Sequence, residues 1–177
     1  FDHFAVDVVV VIIGKLIGLE AVAYYAVGFT LLTFIKNIIN IFYSPFSHRL
    51  NQLAGLGEDG QINHMIQKML DFSLPAYLIS VLILVLSGDY LIRFWVGSDY
   101  ALSVKLTELL FISLLFNAYN SPAAYYYNTA LKYSYLYLLA GVTPIIFMIS
   151  ILLLHNNFGV LAFAWTKIIV GAFICLV

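Results

Sequence analysis

The stretch Phe29–Ser47, "FTLLTFIKNIINIFYSPFS", decides how the chain is read. It is long and apolar, yet Lys36, Asn37 and Asn40 interrupt it near the middle. On a helix, at about 100° per residue, Thr33, Lys36, Asn37, Asn40 and Ser44 fall within a sector of roughly 100°. Leucine, isoleucine and phenylalanine fill the remaining faces. What this polar stripe faces determines what the chain can do.

Composition sets the surroundings of that stripe. The chain has 177 residues, 63% hydrophobic and 10% charged, with a mean hydropathy of +1.00. Soluble domains average roughly 45–50% apolar and about 25% charged. A soluble core of this size cannot absorb so much apolar side chain, because a large surface stays exposed. The composition therefore implies an all-α integral membrane protein. A net charge of −1 excludes electrostatic nucleic-acid binding as a main activity. The single cysteine, Cys175, gives no disulfide framework and reads as a small apolar packing residue. With Phe1 and the closing "FICLV" both inside apolar runs, the chain reads as a piece of a longer polytopic protein.

A bilayer crossing needs about 20 apolar residues, and the pattern predicts about six. They fall near 2–19, 21–44, 73–95, 101–131, 134–154 and 159–177. The second is expected to end before Pro45 and the third to begin near Pro75. Between them, residues 45–72 read as a long polar loop. Within it a short amphipathic helix from Asp59 would carry Ile62, Met65, Ile66, Met69 and Leu70 on one side. Such a helix suits the membrane surface. Tyr90, Trp95 and Tyr100 form an interfacial aromatic cluster. Lysine and arginine are evenly divided between the two sides, so charge does not fix orientation.

Four stretches, taken in order, resemble the polysaccharide exporters, the O-antigen and lipid-linked oligosaccharide flippases of the multidrug/oligosaccharidyl-lipid/polysaccharide exporter superfamily. They are "DVVVVIIGKLIGLEAVAYYAVGFTL", "IFYSPFSHRL", "FSLPAYLISVLILVLSGDYLIRFWVGSDY" and "NNFGVLAFAWTKIIV". In the last, Val160-Leu161 stands where a second glycine is common in the family. No single motif is specific; the ordered set carries the likeness. It implies the C-terminal lobe, residues 1–177, of a two-lobed, MATE-like transporter, and places the 45–72 loop inside the cell. It further implies an undecaprenyl-pyrophosphate-linked oligosaccharide as cargo in a bacterial inner membrane, with H⁺ or Na⁺ as coupling ion. Membrane lipids and the polysaccharide polymerase and chain-length proteins are the implied partners. No cofactor is expected.

Ionisable groups within a bilayer cost about 2.5–3.5 kcal/mol each on insertion scales, so they face protein or water. Lys36 and Lys167 are the cationic candidates for a cavity that attracts a pyrophosphate, with Asn37 and Asn40 beside Lys36. Lys36 paired to a carboxylate for packing alone is the competing reading. Asn117 and Asn120, in a stripe with Ser113, Ser121 and Asn128, could contact sugar hydroxyls or bond between helices. Tyr125, Tyr126 and Tyr127 follow Pro122. Asp7 is a candidate for ion coupling or an ion pair. Glu108, three residues after Lys105, is placed to pair with it and lies about 180° from Asn117.

His3, His48, His64 and His155 have no metal-ligand spacing, and no nucleophile–base arrangement argues for an enzyme. A cation-coupled multidrug antiporter of the same superfamily would want an acidic cavity. A membrane polysaccharide polymerase or ligase would carry a long extracytoplasmic loop, which the sequence does not show. A structural anchor has no need of lysines in mid-span.

Overall fold

A computed structural model gives the backbone of residues 2–97, 101–131 and 133–176, and the side chains of these from residue 9 onward except that of residue 101. Six helices follow one another: α1 (Asp2–Leu16), α2 (Leu19–Leu56), α3 (Asp59–Val96), α4 (Ala101–Thr129), α5 (Tyr133–Phe158) and α6 (Leu161–Leu176). Among the described residues there is no strand. The fold is an all-α helical bundle, as composition requires.

Helices α2, α3, α4 and α5 are long and apolar enough to cross a membrane, and α6 is a shorter apolar helix of 16 residues. The chain is a multi-pass membrane protein. Its outer surface agrees: Phe34, Ile41, Leu86, Phe94 and Leu153 are all more than half exposed. Such a surface is costly in water but ordinary against lipid. Trp95 and Tyr90 are also exposed; Tyr100 lies outside the described residues.

The expected loop over 45–72 is corrected by the structure. Helix α2 runs through Pro45 to Leu56, and α3 starts at Asp59 and runs through Pro75. An interior proline costs a helix about 3 kcal/mol. Burial offsets it here, because Leu50, Leu53, Ile62 and Met69 are all sealed in the core. The apolar side of 59–70 therefore packs on protein instead of lying on the membrane surface. Gly57, at φ 73°, makes the reversal possible. Its N–H bonds Ala54 O, and the Glu58 N–H bonds Leu53 O, which closes α2 in the manner of a Schellman cap. At about 1.5 Å per residue, each 38-residue helix is about 57 Å long. That exceeds a hydrocarbon core of about 30 Å, so the α2–α3 hairpin extends beyond it.

Helix α4 is the axis of the bundle and touches α2, α3, α5 and α6. Side-chain neighbours fix directions. Gly28 faces Thr107 and Tyr43 faces Tyr125, so α2 and α4 run parallel. Gly171 faces Phe116 and Cys175 meets Asn120, so α6 also runs with them. Ser73 meets Ala118 while Leu78 and Leu82 lie by Leu115, so α3 runs opposite. Two glycines permit the closest approaches. A Cβ on Gly28 would lie 2.6 Å from Thr107 Oγ1, and one on Gly171 2.8 Å from Phe116 Cδ2.

Candidate functional site

Which sequence stripes meet is settled by these contacts. Phe29 on α2 lies beneath Lys167 of α6, whose Nζ is 5.0 Å from the ring centroid. That is a cation–π distance, and it marks the edge of α2 turned toward α6. Lys36 is seven residues further, two helical turns on the same edge, and Asn40 is one turn beyond it. Thr33 fills the gap between them, its hydroxyl donating to Phe29 O at 2.8 Å.

On α4, Thr107 marks the side toward α2 and Phe116 the side toward α6. Asn117 falls between them, about 80° from the first and about 100° from the second. Ser113 and Asn120 occupy the same sector. Level matches phase: the parallel register sets Lys36 beside the turn holding Asn117, and Asn40 beside Asn120 and Ser121. Helical phase thus sets a groove between α2 and α6 with α4 as its floor. Lys167, Lys36, Asn117 and Asn120 succeed one another along it, and Asn40, which is exposed, follows at its end.

Local bonding leaves much of this polarity available. Ser113 is spent on Leu110 O at 2.6 Å, and Asn117 Nδ2 reaches Ser113 O only at 3.4 Å. Asn120 Oδ1 accepts from Cys175 Sγ at 3.2 Å. Lys36 is half-buried; among the described residues no carboxylate oxygen lies within 4.0 Å of it, and the one ion pair is Arg93–Asp89 at 2.8 Å. Among the described residues Lys36 therefore has no acid as a packing partner. Lys105 and Glu108 likewise form no pair, although their spacing permits it.

Not every predicted site residue joins the groove. Asn37 is exposed and lies about 100° round α2 from Lys36, so it turns away from α6. Asp7 sits in α1, but its side chain is outside the described residues. Tyr125 meets Tyr43 with tilted rings at 5.8 Å and Tyr127 stacks on Tyr135 at 4.3 Å, so these rings serve contacts between helices. A hollow of about 260 Å³ opens between α3 and α4 and is lined by Leu78, Val81, Leu82, Val85, Leu86 and Leu115. It is wholly aliphatic and lies on the far side of α4 from Asn117.

Sequence reasoning passed over the hydroxyls buried between helices. Ser73, fully buried, donates to Ala118 O at 2.6 Å. Tyr25, Tyr43 and Tyr77 are fully buried too; the Tyr25 hydroxyl has no hydrogen-bond partner among the described residues, while those of Tyr43 and Tyr77 lie beside Ser73 and Ser121. The available signal was their repeat on the buried edge of each helix, which an apolar count treats as ordinary core. No protein-family model, no curated protein and no solved structure matches this chain.

Proposed function

We propose that the chain is one lobe of a two-lobed transporter that flips a lipid-linked oligosaccharide across a bacterial inner membrane. The cargo is an undecaprenyl-pyrophosphate-linked O-antigen or capsule repeat unit. One observation carries the reading: Lys36 stands in the middle of an apolar span, half-buried and, among the described residues, with no acid beside it. An ammonium so placed is destabilising unless water or an anion reaches it. The groove running past Lys167, Asn117, Asn120 and Asn40 supplies the route.

The diphosphate of the cargo would be drawn to Lys36 and Lys167, which lower the cost of moving an anion through the bilayer interior. The amides of Asn40, Asn117 and Asn120 would exchange hydrogen bonds with sugar hydroxyls. The polyprenyl tail stays in lipid, against the apolar outer faces. Movement of this lobe against a second would expose the groove to each side in turn, with Asp7 as the group through which H⁺ or Na⁺ is coupled.

The test is Lys36→Ala against Lys36→Arg in cells that depend on the protein for surface polysaccharide. The alanine variant should abolish O-antigen or capsule at the surface while membrane abundance is unchanged. The arginine variant should retain part of it. Normal polysaccharide from Lys36→Ala, or drug sensitivity in its place, would overturn the assignment.

A further inference from the structure

We propose that Ser73 and Pro122 form a latch, a hydroxyl of α3 that closes onto the hinge a proline opens in α4. Pro122 has no N–H, so the carbonyl of Ala118, four residues earlier, lacks the partner an unbroken helix would give it. Ser73 Oγ fills that place at 2.6 Å. The residue pair is sealed from the surroundings, Ser73 at 0% and Ala118 at 1% exposure. The same hydroxyl also stands 3.1 Å from Leu70 O in its own helix. With one proton and two acceptors, Ser73 has two settings: across to α4, or back onto α3.

Two further prolines lie at this level. Pro45 follows Tyr43 by two residues on α2, and Pro75 precedes Tyr77 by two on α3. Tyr43 lies beside Ser73, Tyr77 and Tyr125, and Tyr77 beside Ser121 and Tyr125. The hydroxyl cluster thus sits where α2, α3 and α4 each carry a weakened turn. The Tyr43–Tyr125 ring contact joins α2 to α4 just past Asn40 and Asn120, across one end of the polar groove. Turning Ser73 back to Leu70 frees the Ala118 carbonyl and lets residues 123–129 tilt about Pro122. Tyr125 then withdraws from Tyr43, and that end of the groove opens. The hydroxyls of Tyr43 and Tyr77, beside Ser73 and Ser121, can re-pair as this happens.

Hydrogen exchange of the full chain in lipid nanodiscs, read by mass spectrometry, tests the latch without any transported substrate. Its failure would therefore leave the proposed function standing. Ser73→Ala should raise exchange across 118–129 about threefold to tenfold, the population factor of one ordinary hydrogen bond. Ser73→Thr keeps a hydroxyl and should exchange like the parent. Pro122→Ala restores an N–H for Ala118, so in that background Ser73→Ala should change exchange less than about twofold. An equal rise in both backgrounds overturns the latch, as does no rise in Ser73→Ala. Should Pro122→Ala fail to accumulate, the other two variants decide. A rise spread evenly through α5 and α6, or a threonine variant as fast as the alanine one, refutes it.

Discussion

Replacing Gly28 with alanine probes the closest contact in the bundle. The added Cβ would lie 2.6 Å from Thr107 Oγ1 and 3.2 Å from both Leu106 Cδ2 and Leu110 Cδ1. Ordinary contact begins near 3.4 Å, so the methyl is roughly 0.8 Å too close to the hydroxyl. Two escapes exist. Thr107 can rotate away, but its hydroxyl is bonded to Ser103 O at 2.6 Å, and losing that bond costs about 1 kcal/mol. Otherwise α2 and α4 separate, which forfeits packing along a whole interface, and overpacking of this kind costs about 1–3 kcal/mol. The expected loss of stability is therefore about 1–3 kcal/mol. It is measured by reversible unfolding in mixed micelles with the tertiary signal as readout. Gly141→Ala is the control, since nothing lies within 4 Å of its Cβ; inside α5 it should match the parent or gain up to about 1 kcal/mol. Thr107→Ala removes the obstructing oxygen and should recover about 1 kcal/mol when combined with Gly28→Ala. If Gly28→Ala is as harmless as Gly141→Ala, or Thr107→Ala fails to suppress it, the parallel α2–α4 contact described above is wrong.

Two other outcomes follow from groups left unpaired among the described residues. Lys36→Met removes a mid-span charge and should make insertion of α2 more favourable by about 2.5–3.5 kcal/mol, as read by a glycosylation-mapped insertion assay, while transport is lost; unchanged insertion would show that Lys36 lies at an interface. Tyr25→Phe deletes a hydroxyl without a hydrogen-bond partner in a residue only 1% exposed, so unfolding in the same micelles should show no loss, and a gain of up to about 1 kcal/mol. A loss above about 1 kcal/mol would mean that the hydroxyl is bonded.

The sequence by itself determined the medium and the material: sixty-three per cent apolar residues compel helices in a bilayer, because only there can backbone and side chains both be satisfied. It also determined that Lys36 and Asn40 share a stripe, since helical phase is a local property. What it left open was decided by packing between helices. Pro45 and Pro75 look like helix ends in a one-dimensional reading; the burial of Leu50, Leu53, Ile62 and Met69 carries both helices through them, and that burial exists only when α2 and α3 lie side by side. The separation of Asn37 from Lys36 has the same origin. Both are in one stripe of α2, but which edge faces α6 depends on Phe29 meeting Lys167, a contact between residues far apart in the chain. Ser73 and Ala118 are the sharpest case: a missing N–H in one helix is answered by a hydroxyl in another, and no local rule pairs them. Phase and hydropathy are written along the chain, whereas the partner of each face is fixed only once six helices have to share one packed volume.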